Sequence, residues 1–305
     1  MPIYKKIPIP VPDGDYVRIY TPSPDVYNGV DTKNFKKGET YPEWIVNDFS
    51  IINDNGTFHI VGITHPKVPD FIDAFNYSGD VHEAENQLFH AVAVGKSFGD
   101  VFFGDSFSDR EKLLYPEERP NEENELWAPA LIRKDGEFHV IYSPKKIRMA
   151  STSDFKEWKI RELFECNSPV ARDPFVYLED GLYYIIYTEC KELKYRTTED
   201  FISFSEEKIL QEALFADTES ESPFLLKKDG IYYLFWSIWN GQNGCYDDRT
   251  LVFASDTIEG LRNTAPITML KAHAPEIICD NDGTYYLLSV FSPSNGVSAV
   301  KLMWN

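Results

Sequence analysis

The sequence predicts an all-β chain folded as a five-bladed β-propeller in a single domain. Three observations carry this expectation: a short turn-and-strand pattern recurs five times, each copy follows an apolar strand with a similar opening, and most copies lead into a further strand. The pattern is a turn ending in Gly, one intervening residue, a pair of aromatic or His residues, and an apolar run. It reads NDNGTFHIVGI over 53–63, KDGEFHVIYS over 134–143, EDGLYYIIYT over 179–188, KDGIYYLFWS over 228–237 and NDGTYYLLSV over 281–290. Asn-Gly or Asp-Gly between β-rich runs is a strong hairpin signal, because a type I′ turn needs positive φ at both central residues.

The preceding strands open on Asn47-Asp48-Phe49, Trp127-Ala128-Pro129, Arg172-Asp173-Pro174, Glu221-Ser222-Pro223 and His273-Ala274-Pro275. Proline is tolerated at a strand head, where the ladder does not need its missing N–H. Further strands follow at IRMASTSDFKEW (147–158), LKYRTTEDFISF (193–204) and TLVFASDTIEGL (250–261), giving about four strands in each unit of about 45–55 residues, the size of a propeller blade. The first two turn glycines, Gly56 and Gly136, stand farther apart than the others and mark an insertion over about 66–88. The last unit holds only three strands, so DYVRIYTP at 15–22 is expected to supply the fourth and close the ring, leaving no unpaired edge. The whole of 1–305 is then one catalytic propeller, with no length left over for an accessory domain.

Composition sets the outer limits. With 43% hydrophobic and 15% aromatic residues, the chain has ample material for a core, which excludes wholesale disorder. A formal charge of −19 argues against nucleic acid and anionic membrane as partners, and suits a neutral polar substrate. Cys166, Cys190, Cys245 and Cys279 show no paired spacing, so neither a disulfide framework nor a zinc site is expected. Together with an N-terminus lacking an apolar run behind its lysines, they point to a reducing, cytoplasmic setting; removal of a leader would instead make the protein secreted.

In a propeller the innermost strands begin near a central funnel, so the five openings should converge. They carry Asn47, Asp48, Trp127, Arg172, Asp173, Glu221 and His273. Three carboxylates from three blades, beside an Arg and a His, are what glycoside hydrolysis requires: an acid for the leaving oxygen and a carboxylate to activate water or attack the anomeric carbon. A third acid nearby helps keep one of them protonated.

On these motifs the chain resembles the five-bladed propeller glycosidases, above all glycoside hydrolase family 43, with features of families 32 and 68. Trp127-Ala128-Pro129 and Glu221-Ser222-Pro223-Phe224 are similar to family 43; Asn47-Asp48 and Arg172-Asp173-Pro174 are closer to the fructan-cleaving relatives. The resemblance implies Asp48 as general base, Glu221 as general acid and Asp173 as the residue that orients Glu221 and raises its pKa. It makes Asn47, Trp127, Arg172 and His273 substrate-binding or ordering residues. It also implies a calcium ion or water near His273 in many members, although His-Ala-Pro-Glu departs from their Gly-rich context; no cofactor and no metal ligand is otherwise expected. Phe49-Ser50 departs from the Pro-Asn-Gly usual after the fructan-cleaving Asp, and no appended β-sandwich is present in the sequence.

The expected activity is hydrolysis of a neutral oligo- or polysaccharide of arabinofuranoside or xyloside type. The alternatives are a fructosidase-like hydrolase and a non-catalytic carbohydrate-binding propeller. Glu219 is a second candidate for the acid if the strand is offset by two residues. His59 and His139 read as packed strand residues, and His65, His82 and His90 as residues flanking or within the insertion that could line the pocket. Trp44 and Trp239 are candidate sugar platforms and Trp236 a core residue. Asp280-Asn281-Asp282-Gly283 is a hairpin turn, since no ligand-spaced Glu follows it.

Overall fold

Four of the five expected turns close as two-residue turns with both central residues left-handed: Asn55-Gly56, Asp135-Gly136, Asp180-Gly181 and Asp229-Gly230. Asn and Asp accept positive φ more readily than other side chains, and Gly accepts it without strain, so these dipeptides set the register of each hairpin locally. The fifth differs. Its first two strands pair Cys279 with Tyr285 across a longer turn, in which the Gly283 N–H donates to the Asp280 carbonyl at 2.9 Å.

The computed structural model describes residues 7–67, 83–214, 219–239, 246–290 and 295–305, with the side chains of 219, 239 and 246–248 excepted. Most of the expected insertion, including His82, and also Cys245 lie outside the described residues. The described Cys166, Cys190 and Cys279 are free thiols.

The hairpins assemble into five four-stranded antiparallel sheets. Blade one holds Trp44–Asp54, Thr57–Pro66, Leu88–Val94 and Ser108–Asp109, and blade two Trp127–Lys134, Glu137–Ser143, Lys146–Thr152 and Lys159–Glu165. Blade three holds Arg172–Glu179, Leu182–Glu189, Glu192–Thr198 and Lys208–Glu212, and blade four Glu219–Lys228, Ile231–Trp239, Tyr246–Ser255 and Thr268–Lys271. Blade five takes His273–Cys279, Tyr285–Val290 and Val297–Trp304, and its outer strand is Pro10–Tyr20 from the start of the chain. That strand begins five residues earlier than the expected 15–22 and runs from the Pro10–Trp304 pair to the Tyr20–Val297 pair. The innermost strands touch in the cyclic order one to five and back to one, so the ring is closed.

Ring closure explains the paired aromatics. Adjacent strand residues point to opposite faces, and each blade is covered on both faces by its neighbours. Phe58 therefore packs with Phe98 and the core shared with blade five, while His59 faces Phe138 and Phe155 of blade two. Tyr232 lies in the core between blades three and four, and Tyr233 in the core between blades four and five. His139 is likewise buried in its strand, with Nδ1 2.7 Å from Ser151 Oγ.

Each innermost strand also carries a one-residue bulge at its opening, where the register shifts between 46 and 49, 127 and 130, 172 and 175, 221 and 224, and 273 and 276. A bulge re-aims a side chain at the end of a ladder. The opening of blade one is one position out of phase with the other four, whose bulges all begin at the first residue of the opening. Counted from the bulge, Asn47 takes the place of Asp173, and Asp48 takes that of Pro129, Pro174, Pro223 and Pro275.

Candidate active site

The bulges in blades three, four and five place their first residue in the left-handed region: Asp173 at φ 58°, Ser222 at φ 51° and Ala274 at φ 48°. Such geometry persists in non-glycine residues only where the surroundings hold it. Here they do. The Ser222 N–H donates to Asp173 Oδ2 at 3.1 Å, tying blade four to blade three, and the Ala274 N–H donates to Ser237 Oγ at 3.2 Å, tying blade five to blade four.

These turns bring Asp48, Arg172, Asp173, Glu221 and His273 into one contact network. His273 Nε2 lies 3.6 Å from Asp48 Oδ1 and 3.4 Å from Glu221 Oε1, so one imidazole nitrogen stands between carboxylates from blades one and four. Arg172 Nε lies 3.4 Å from Asp173 Oδ2 and 3.6 Å from Glu221 Oε2, giving those two carboxylates a shared cation. All three acids are buried, and the His273 side chain is wholly so. Burial pushes the Asp173 carboxyl well above the usual range; Arg172 opposes this, and the charges of Asp48 and Glu221 add to it.

Asn47 is buried beside Asp48, and Trp127 is half-buried against the apolar core between blades one and two. The expected roles of other residues change. Trp44 is no sugar platform: it is 1% exposed, packed with Tyr27, Phe35 and Ala84, with the Lys112 ammonium 3.9 Å from its ring centroid. Trp236 is core, and the side chains of Trp239 and Glu219 lie outside the described residues. His65 is buried, with Nδ1 2.7 Å from the Pro66 carbonyl, and His90 pairs with His59 between blades one and two.

The structure adds residues that the sequence reading missed. Gly62 pairs with Phe49 just past the blade-one bulge, and a Cβ there would lie 2.6 Å from Phe49 Cβ and 2.8 Å from the Asp48 carbonyl. Only glycine lets the second strand lie this close under Asp48. Glu276 is buried and lines a narrow central channel together with Asp48, Asp173, Ser222 and the four strand-head prolines. Burial raises its carboxyl well above the ordinary range, against the pull of the Ile51 N–H at 3.4 Å. The channel cavity is about 20 Å³, room for about one water. Blades one to four place a hydroxyl residue opposite the strand opening (Thr64, Ser143, Thr188 and Ser237) and blade five places Val290 there, but nothing local in the sequence signals what those hydroxyls bond.

Calcium takes six to eight oxygen ligands. His273 Nε2 faces the carboxylates of Asp48 and Glu221, and among the described residues no group of three or more His, Cys, Asp or Glu is arranged to hold a metal. No step below depends on one.

No protein-family model matches the sequence, and no curated protein does. Solved structures match over most of the chain. A family-43 β-xylosidase/α-arabinofuranosidase from a compost microbial metagenome, solved with xylotriose, is 14% identical at a TM-score of 0.63, covering 97% of this chain and 95% of its own. A family-43 enzyme of Xanthomonas citri is 16% identical at 0.60, covering 85% and 87%. The fold is that of the family-43 glycoside hydrolases. An α-L-arabinofuranosidase of Podospora anserina, in complex with cellotriose, shares it at 13% identity and a TM-score of 0.58, covering 95% of this chain and 96% of its own. At such identity the likeness speaks for the family-43 propeller, and the chemistry rests on the side chains.

Proposed function

We propose that the protein is a glycoside hydrolase acting on a neutral oligo- or polysaccharide of xyloside or arabinofuranoside type. The observation that carries this reading is the trio Asp48, Asp173 and Glu221, buried together and bridged by His273 and Arg172. The structural neighbours that bind xylotriose and cellotriose support a carbohydrate ligand. Glu221 donates its proton to the leaving glycosidic oxygen while Asp48 takes a proton from the attacking water. As Glu221 becomes anionic, Arg172 is already placed to receive the charge, so little reorganisation is needed. Asp173 acts on Glu221 through the backbone, by holding the Ser222 N–H next to it. The resemblance to family 43 makes the reaction inverting.

A panel of chromogenic pentosides, hexosides and fructo-oligosaccharides tests this with wild type, Asp48→Asn and Glu221→Gln. Each substitution is expected to lower kcat by about 10²–10⁴-fold, and proton NMR should show the inverted anomer forming first. Wild-type turnover by both variants would overturn the assignment. Sugar binding without turnover on any substrate would identify a non-catalytic propeller, and cleavage confined to fructosides would identify the fructosidase-like alternative.

A further inference from the structure

Ser237 stands opposite Glu221 in the blade-four ladder, and Thr250 stands opposite Ser237 on the next strand. Both are fully buried. Thr250 Oγ1 donates to the Ala272 carbonyl at 2.8 Å, which uses its only proton. The 3.1 Å contact between the two hydroxyls is therefore a donation from Ser237 to Thr250. Ser237 Oγ is left to accept the Ala274 N–H at 3.2 Å. The chain of bonds thus grips blade five on either side of His273, at Ala272 and at Ala274. From within blade five, Ser289 Oγ accepts the His273 N–H at 2.8 Å.

The equivalent positions of the other blades do not do this. Thr64, Ser143 and Thr188 occupy the same register place opposite Val46, Trp127 and Arg172, and all are buried. Thr64 donates to the Ile45 carbonyl of its own blade, while the hydroxyls of Ser143 and Thr188 have no hydrogen-bond partner among the described residues. A hydroxyl serving only the repeat would behave alike in every blade. The reach into the next blade occurs where Glu221 and His273 meet, and it holds Ala274 at its left-handed φ of 48°.

We propose that Ser237 and Thr250 are positioning residues that set the His273 imidazole between the carboxylates of Asp48 and Glu221. The inference rests on the hydrolase reading for its catalytic consequence, but not for the placement itself. A small rotation of the His273 peptide would carry Nε2 away from one carboxylate or the other, and displacements of about 1 Å at a reacting centre cost as much as about 100-fold in rate.

The test compares Ser237→Ala, Thr250→Val and Ser237→Thr with Ser143→Ala, the register-matched control. On a substrate that the wild type cleaves, Ser237→Ala and Thr250→Val should lower kcat by about 10- to 100-fold with KM within about twofold. Ser237→Thr should restore most of the loss, and Ser143→Ala should leave kcat unchanged. Independently of turnover, the ¹H–¹⁵N ring correlation of His273 should move in Ser237→Ala and stay in place in Ser143→Ala. Should the wild type cleave nothing, the hydrolase reading fails while the ring signal still decides the placement. An unmoved His273 signal in folded Ser237→Ala, or in Thr250→Val where the first variant does not fold, overturns the proposal. So does an equal kcat loss in Ser143→Ala.

Discussion

Asp173 accepts the N–H of Ser222 at 3.1 Å, one peptide away from Glu221, so its hold on the proposed acid passes through backbone geometry. Asp173→Asn keeps an oxygen for that N–H but removes the ionisable group. Asp173→Asn should therefore keep most of kcat, whereas Asp173→Ala, which releases the Ser222 N–H, should lower it by about 10²-fold. The stability effect of Asp173→Asn has a defined sign. The folded-state pKa of Asp173 is raised, so the folded protein binds the proton more tightly than the unfolded chain. The associated stability is fully present below the unfolded carboxyl pKa of about 3.9 and is lost as pH rises through the folded value. Denaturant unfolding from acid towards neutral pH should show Asp173→Asn gaining on the wild type as pH rises. A gap of opposite slope would contradict the raised pKa.

Gly62 and Gly136 separate a steric from a conformational requirement. A Cβ at Gly62 meets Phe49 Cβ and the Asp48 carbonyl, neither of which moves without shifting the bulge. Gly62→Ala should cost about 1–3 kcal/mol in stability and reduce kcat as well, since Asp48 rides on that bulge. At Gly136 a Cβ meets nothing within 4 Å, but φ is +84°. Gly136→Ala should cost about 1–2 kcal/mol and leave kcat at the wild-type value. Thermal unfolding and turnover on the same preparations check both.

His59 Nδ1 and His90 Nε2 lie 3.0 Å apart, with the Phe155 ring stacked 5.1 Å from one and 4.4 Å from the other. Burial lowers both pKa values, that of His90 to about 3; Arg110 lowers both further, and Asp54 opposes the fall at His59. The unfolded histidines bind protons near pH 6.5, where the folded ones do not. Stability should therefore fall as pH drops below about 6.5. His90→Phe should flatten the Tm profile between pH 7 and pH 4, read by thermal unfolding. An unchanged profile would assign the acid sensitivity elsewhere.

Pro10–Tyr20 covers the edge of Val297–Trp304 and buries Ile19 and Tyr20 at 0% and 1% exposure. Deleting residues 7–20 removes two core side chains worth roughly 2–5 kcal/mol each and bares a full strand edge. The truncated chain should unfold at a markedly lower temperature and elute as soluble aggregate in size-exclusion chromatography. Monomeric elution at wild-type Tm would show that closure is dispensable.

The propeller was legible because its signals are local. Asn55-Gly56, Asp135-Gly136, Asp180-Gly181 and Asp229-Gly230 specify their turns through φ preferences that need no tertiary contact, and the alternation of apolar and aromatic residues follows the two-residue period of a strand. The strand openings also nominated Asp48, Arg172, Asp173, Glu221 and His273, which the fold brings into one network. Trp44 misled because its ring is covered by Tyr27, Phe35 and Ala84, parts of the chain with no place in the repeat. Ring closure and register decided what local chemistry cannot: that Asp48 sits one bulge position out of phase with Asp173, that Gly62 must be bare beneath it, and that of the second-strand hydroxyls described it is Ser237 that reaches across to the next blade. Those relations join residues far apart in sequence, and their distances exist only once the last blade has closed on the first.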